Sequence, residues 1–501
     1  MRSLSGLVIA STLFQIAHSL SLPPQQHLPQ RKQEQVREHQ HHQRDAQPRV
    51  VGLPLYRSEV RNPMAHDKNR MRKRSGTVLQ VLDNMQTLYF FNATVGTPAQ
   101  PVRLHLDTGS SDMWLNTPSS ELCTHHFHSC SESGTYSANS SITYQYVANY
   151  FNISYSDGTG SAGDFATDVL RFSGQTISDF QFGIGYRSTS PENILGVGYP
   201  IWESQAKPAA LRRNTYPNLP AKLYADGLIS SRTFSIWLND VNAAAGSILF
   251  GGIDTQKFEG NLVTVPVEKV GDTYTQFYIT LTELVIGYKE VATELALAVL
   301  VDTGTSRTYL PASITSEIYR HLDVAYQEEQ GAAIVPCSLR DKKVTMSFRF
   351  SSPASITVPV SDMVIDLVDS SGTPYTMEDG TQACSFGILP AEDQMSILGD
   401  TFLRSAYVLF DMDRNEISLA NARYNVTDSH IVEVNTGLGN AVPFATRASN
   451  PVKATAGLFP GTPSDAAPQS ESDASALVYQ AWLRPGFVAL LAFGLTTSLL
   501  V

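Results

Sequence analysis

No apolar run in this 501-residue chain reaches the roughly 20 residues that an ordinary bilayer-spanning helix needs. Cysteine is scarce as well. The four residues stand at 123, 130, 337 and 384, and no C-x2-C pair, the spacing that favours tetrahedral capture of zinc, occurs among them. Helix-like stretches are few. Lys and Arg number 36 against 47 Asp and Glu, for a net charge of −11, which argues against nucleic-acid binding.

What the chain does have begins with "LVIASTLFQIA", Leu7 to Ala17, behind the single positive Arg2. "AHS" (Ala17 to Ser19) then places small residues at −3 and −1 of a cut after Ser19. Residues 1–19 read as a signal peptide that sends the chain into an oxidising compartment. There the default for two local groups of cysteines is two disulfides, Cys123–Cys130 and Cys337–Cys384. The stretch "ELCTHHFHSC" also sets His125, His126 and His128 inside the first pair, a ligand-rich run that would suit zinc. Compartment and spacing favour a disulfide loop with surface histidines, and no metal is expected.

Charge is unevenly spread. Residues 1–74 hold 13 Lys+Arg and 5 Asp+Glu, net +8, so the remainder carries −19. Ser21 to Arg49 is Gln, His, Pro and Arg with too little apolar surface to fold alone. "NRMRKR" (Asn69 to Arg74) ends in a dibasic pair suited to a processing protease of the secretory pathway. Residues 20–74 therefore read as a basic propeptide, with mature protein from about Ser75. Beyond it come short alternating runs bounded by Gly, Asn, Asp and Ser. "TLYFFNATVG", "ITYQYVANYFNISYSDG", "SIWLNDVNAAAGSILFGG" and "KVTMSFRF" read as strands. "NLPAKLYADGL" and "ASITSEIYRHLD" are the best helix candidates. A mostly β fold follows.

An internal repeat divides the β region. "LHLDTGSSDMWL" (Leu104 to Leu115) and "VLVDTGTSRTYLP" (Val299 to Pro311) share an apolar run followed by Asp-Thr-Gly-Ser/Thr-Ser. Each has a later echo, "NILGVG" (Asn193 to Gly198) and "SILGDT" (Ser396 to Thr401). Asp107 to Gly196 spans 89 positions and Asp302 to Gly399 spans 97, as two copies of one β lobe would. The lobes are expected over 75–265 and 266–428. After about residue 430 strands are expected to stop, with a Pro/Ala/Ser/Thr linker over 429–475 and a terminal segment, 476–501, ending in the 16-residue apolar run Gly486 to Val501.

The repeated motif has a chemical reading. A strand brings each Asp to a tight turn, and the Gly lets the backbone double back beneath the carboxylate. Peptide N–H groups and the Ser110 or Thr305 hydroxyl can then fix the carboxylate plane. Loops from two lobes would set Asp107 beside Asp302. Neighbouring carboxylates share a proton over a wide acid range. The ionised member takes a proton from a bound water, and the protonated member polarises a peptide carbonyl, without a covalent intermediate.

These motifs make the chain resemble the pepsin-family aspartic endopeptidases over roughly Leu88 to Val426. The resemblance implies two β lobes with a cleft between them, protein or peptide substrates, no cofactor and a monomer. It implies a β-hairpin flap in "ISYSDGTGSAGDF" (Ile153 to Phe165), with Tyr155 the flap tyrosine, Trp114 its partner and Asp157 and Gly158 at the tip. Gly109, Ser110, Gly304 and Thr305 would surround the dyad, and the two cysteine pairs fall where the family has its local disulfides. Arg307 departs from the apolar run of digestive members and puts the hydrogen bonding around Asp302 in question. This variation resembles the fungal cell-surface, yapsin-like branch, whose members end in a lipid-anchor signal. "SDASA" (Ser472 to Ala476) supplies small residues before the apolar tail, so a glycosylphosphatidylinositol attachment within Ser472 to Ser475, at Asp473, is expected. Sequons stand at Asn92, Asn139, Asn152 and Asn425. Two rivals remain: an inactive surface binding protein on the same scaffold, which would have an altered Asp or lack the flap tyrosine, and a soluble secreted or vacuolar protease.

Overall fold

The computed structural model describes residues 48–60, 86–124, 130–155, 159–206, 215–241, 243, 245–328, 331–368, 373–391, 395–436 and 442–458. The chain divides into a short N-terminal unit, Met1–Pro48, of which only Pro48 is described, and a main unit, Arg49–Val501. The expected signal peptide, the expected processing site at Arg74, Ser472 to Ser475 and the apolar tail all lie outside the described residues.

Strands dominate, and alternation explains them. In Gln86–Val95, Tyr89, Phe91, Ala93 and Val95 are buried on one face; on the other, Leu88 and Phe90 are covered too and Asn92 faces solvent. The four stretches read as strands all contain one. "SIWLNDVNAAAGSILFGG" holds two, Thr233–Trp237 and Ala245–Phe250, paired antiparallel. The two helix candidates form helices at Leu219–Ala225 and Ala312–Leu322. In the second, Ile314, Ile318 and Leu322 recur at helical spacing on the buried face, and Asp323 ends it in the left-handed conformation at φ 59°.

One sheet of 14 strands joins both halves of the sequence. Gln100–Asp107, Asn193–Gly196, Met113–Asn116 and the long hairpins of the first half lie towards one end. Thr233–Trp237, Ala406–Asp411 and Glu416–Asn421 lie towards the other. A separate five-stranded sheet contains Tyr278–Leu281, Leu297–Val301, Ser396–Leu398, Thr308–Leu310 and Ile388–Pro390.

The internal repeat has a direct structural meaning. Gln100–Asp107 runs parallel to Asn193–Gly196, with Asp107 opposite Gly196. Leu297–Val301 runs parallel to Ser396–Leu398, with Val301 opposite Leu398. The glycine that closes each Ile-Leu-Gly lies against the turn of its own Asp-Thr-Gly loop. A Cβ at Gly196 would lie 2.5 Å from Ser111 N, and one at Gly399 would lie 2.3 Å from the carbonyl oxygens of Thr305 and Arg307. Backbone cannot yield at such distances, so any side chain there would push the loop, and its Asp, out of place.

Two regions differ from the sequence reading. Val51–Val60, inside the basic segment, is a strand set between Ala245–Phe250 and Gln86–Val95. Val51, Leu53 and Leu55 are buried and Gly52, Pro54 and Tyr56 exposed, a period-two pattern that the flanking charges conceal. The expected end of strands near residue 430 is corrected. Ile431–Glu433 pairs with Gly252–Asp254, and Ala445–Arg447 lies parallel to Leu262–Thr264. These strands are three residues each, too short to show periodicity.

Candidate active site

The two Asp-Thr-Gly loops meet through their threonines. Thr108 Oγ1 donates to the Val301 carbonyl at 2.9 Å, and Thr303 Oγ1 donates to the Leu106 carbonyl at 2.9 Å. Each hydroxyl thus reaches the strand that delivers the opposite Asp. The Thr303 N–H donates to Thr108 Oγ1 at 3.0 Å, and the Thr108 N–H to Thr303 Oγ1 at 3.2 Å. All four bonds are buried, where their geometry is rigid. Sequence reasoning assigned Thr108 and Thr303 no role, although the repeated Thr of the motif was the signal.

Around the carboxylates the two halves match. Gly109 N–H donates to Asp107 Oδ1 at 2.8 Å and Ser110 Oγ donates to Asp107 Oδ2 at 2.5 Å. Gly304 N–H donates to Asp302 Oδ1 at 2.8 Å and Thr305 Oγ1 donates to Asp302 Oδ2 at 2.6 Å. Charge-assisted bonds of this kind lock the carboxylate plane. The Asp302 carboxylate also packs on the other loop: a Cβ at Gly109 would fall 2.8 Å from its Oδ1 and 3.0 Å from its Oδ2. Both acids are buried, at 0% and 3% exposure for Asp107 and Asp302. Arg307 leaves this arrangement intact. Its side chain is buried, and its charge is felt at Tyr319, whose phenol burial raises while Arg307 opposes.

The hairpin of Gln145–Ser154 and Gly160–Phe172 carries Tyr155, whose N–H closes the turn on the Thr159 carbonyl at 2.9 Å. Trp114 Nε1 donates to Tyr155 Oη at 2.7 Å. Trp114 comes from Met113–Asn116, directly after the first Asp loop, so one bond couples hairpin and dyad loop. Asp157 and Gly158 lie outside the described residues. Trp114→Phe keeps an aromatic ring and removes that one bond. We expect kcat/KM to fall by about 3- to 10-fold, the effect of ~0.5–1.5 kcal/mol, which steady-state kinetics on a peptide substrate will check.

Behind this hairpin lies a buried acid cluster that sequence reasoning missed. Asp112 Oδ1 accepts from Tyr216 Oη at 2.8 Å and Ser204 Oγ at 3.0 Å, and Oδ2 accepts from the Ser204 N–H at 2.7 Å. Glu203 Oε2 accepts from the Tyr216 N–H at 2.9 Å, while Oε1 has no partner among the described residues. Burial pushes the Glu203 carboxyl up to about 10; the Tyr216 N–H opposes this and the Asp112 charge adds to it. Tyr216 packs with Trp114, Phe151 and Phe165, and Tyr155 rests against the same group.

Both disulfides form as the cysteine spacing suggests, Cys123–Cys130 and Cys337–Cys384. His125, His126 and His128 lie outside the described residues. The four sequon asparagines, Asn92, Asn139, Asn152 and Asn425, are all exposed.

This mostly β fold with two neighbouring Asp-Thr-Gly loops has relatives among known proteins. The eukaryotic aspartyl protease family matches residues 88–422, and the chain belongs to that family. It is 48% identical over 416 residues to a probable aspartic-type endopeptidase, opsB, of Aspergillus fumigatus, spanning 82% of this chain and 84% of that protein. Two Saccharomyces cerevisiae proteins are more distant. Aspartic proteinase yapsin-3 is 32% identical over 413 residues, 78% of each chain. Barrierpepsin is 30% identical over 438 residues, 79% of this chain and 72% of that one. In fold, the crystal structure of aspartic proteinase from Irpex lacteus aligns with a TM-score of 0.56 at 16% identity, covering 76% of this chain and all of that one. The chain is an aspartic-type endopeptidase acting on protein or peptide substrates, on a pepsin-like, mostly β fold.

Proposed function

We propose that Asp107 and Asp302 are the catalytic dyad, and the observation that carries this is the matched pair of hydrogen-bond sets on the two carboxylates. One N–H and one hydroxyl hold each carboxylate plane, and a water bound between the acids would be the nucleophile. The ionised member takes a proton from that water as it adds to the scissile carbonyl. The protonated member donates to the carbonyl oxygen, giving a gem-diol. The donor sets on the two acids match, so neither has a fixed role. Tyr155, held by Trp114, covers the substrate from the opposite side. Cleavage of peptides at acid pH, blocked by a statine-type inhibitor, tests this reading; full cleavage under inhibitor would reject it.

We further propose a secreted zymogen, activated after Arg74 and held on the outer face of the cell membrane by a glycosylphosphatidylinositol anchor at Asp473, with the cell wall a second location. The signal-like Leu7–Ala17, the dibasic Lys73–Arg74, the small residues before the apolar tail and the likeness to yapsin-3 support this. Phosphatidylinositol-specific phospholipase C should release the enzyme from cells; retention after both this and cell-wall glucanase treatment would remove the anchor from the account.

The flap tip suggests a substrate preference. Asp157 stands two positions beyond Tyr155, where a partly desolvated carboxylate would pair with a substrate Lys or Arg before the cut. Asp157→Asn keeps turn chemistry and removes the charge. For substrates with Lys or Arg there, kcat/KM should fall by about 1–3 kcal/mol, with Leu or Phe substrates little changed. Equal losses on both would leave Asp157 only a turn residue.

A further inference from the structure

The family match ends at residue 422, yet the described chain continues to Leu458 and is hydrogen-bonded along its course. Ser429 Oγ and the His430 N–H donate to Asp254 at 2.7 and 2.8 Å, and the Val434 N–H donates to the Gly251 carbonyl at 2.9 Å. After Ala445–Arg447 the Ala448 N–H donates to the Thr264 carbonyl at 2.9 Å. The chain then crosses to the sheet that carries Asp302. The Ser449 N–H donates to the Ser352 carbonyl at 3.0 Å, and the Val452 N–H to Ser351 Oγ at 2.8 Å. The Ala454 N–H donates to Glu268 Oε1 at 3.1 Å, and the Thr455 N–H to the Ala296 carbonyl at 2.8 Å.

The end of this segment completes a strand. Ser396–Leu398 runs beside only Val299, Leu300 and Val301 of Leu297–Val301. Ala456 continues that side with a parallel bridge to Leu297, and the Ala298 N–H donates to the Ala456 carbonyl at 2.8 Å. On the other side Thr280 pairs with Ala298, and Thr280 Oγ1 donates to the same Glu268 Oε1 at 2.6 Å. Gly457 turns the chain with φ +78°, and a Cβ there would lie 2.6 Å from the Ala298 carbonyl. Asp302 follows this strand directly.

We propose that residues 449–457 form a strap that sets the position of Asp302, with Glu268, Ala454, Ala456 and Gly457 as positioning residues. The inference rests on the reading of Asp302 as a dyad member. The strap touches no substrate; it fixes the start of a five-residue strand whose end presents the carboxylate. Misplacement of a reacting group by about 1 Å costs on the order of 10²-fold in rate. A strand held on one side only at Leu297 and Ala298 has room for such a shift.

The test compares Gly457→Ala, Ala454→Pro and Glu268→Ala with Gly271→Ala, a control at another positive φ, +62°, with nothing within 4 Å of an added Cβ. Active sites are counted by titration with a tight-binding statine-type inhibitor, and kcat is expressed per titrated site. The three strap variants should lose about 10- to 100-fold in kcat per site, with KM within about twofold of wild type. Glu268→Gln, which keeps an acceptor oxygen, should recover most of the loss of Glu268→Ala, and Gly271→Ala should match wild type. Unchanged kcat per titrated site, with only fewer active sites or a lower melting temperature, overturns the proposal. A wild-type enzyme that hydrolyses peptide yet is not titrated instead counts against the dyad.

Discussion

Asp107→Asn and Asp302→Asn should each lower kcat/KM on the order of 10⁴-fold, the upper range for loss of a general acid–base group, with the folded spectrum by circular dichroism retained. The substitution keeps size and shape. At Asp107 the carbonyl of an asparagine can accept from the Gly109 N–H, and the Ser110 hydroxyl can rotate to accept from the new amide. Gly304 and Thr305 offer Asp302→Asn the same accommodation. What disappears is the shared negative charge, and with it the group that takes the proton from water. Substantial turnover by either purified variant would mean that the water is activated elsewhere.

Stability should fall as pH rises from mildly acidic to neutral, and Glu203 should account for a defined share of the fall. Its folded value near 10 lies above the ordinary 4.5. Above about pH 4.5 the unfolded chain releases this proton while the folded chain keeps it. The stabilisation is therefore complete below that pH and is lost as pH rises towards 10, at about 1.4 kcal/mol per pH unit. Between pH 5.5 and 7.5 this amounts to ~3 kcal/mol, a large part of a typical folding free energy. Asp362 and Glu416, whose values burial also raises, act in the same direction; Asp168, whose value hydrogen bonds lower against the pull of burial, is ionised in both states across this range and adds no slope. Glu203→Gln removes only the Glu203 share, so its unfolding midpoint in urea should change less between these two pH values than that of wild type. Equal changes would place the sensitivity elsewhere.

Much of the site was legible in the sequence because the chemistry is written in contiguous residues. Asp107 and Asp302 lie in motifs where the Gly, the hydroxyl residue and the acid all belong to one turn. The paired Ile-Leu-Gly runs were visible because a side chain on either glycine would collide with backbone. Tyr155 and Trp114 followed from the family likeness, and their hydrogen bond is present. Other features depend on chain segments far apart in sequence. Glu203 and Asp112 look like ordinary surface acids until Tyr216 brings backbone and phenol donors to them. Residues 51–56 alternate cleanly, yet they sit among charges that suggest an unfolded tail, and only the two neighbouring strands make Val51–Val60 part of the sheet. The segment after residue 430 has linker composition and is ordered by backbone bonds to Gly251, Thr264 and Ala296, none of which a hydrophobic pattern records.

One two-carboxylate site per chain can be counted by titrating the active enzyme at acid pH with a tight-binding statine-type inhibitor, whose hydroxyl stands for the gem-diol oxygen between the acids. Peptide cleavage should fall linearly to zero at one inhibitor per chain, and neither Asn variant should bind it with wild-type affinity. Cleavage that persists at saturating inhibitor, or wild-type affinity in both variants, would contradict the two-carboxylate site.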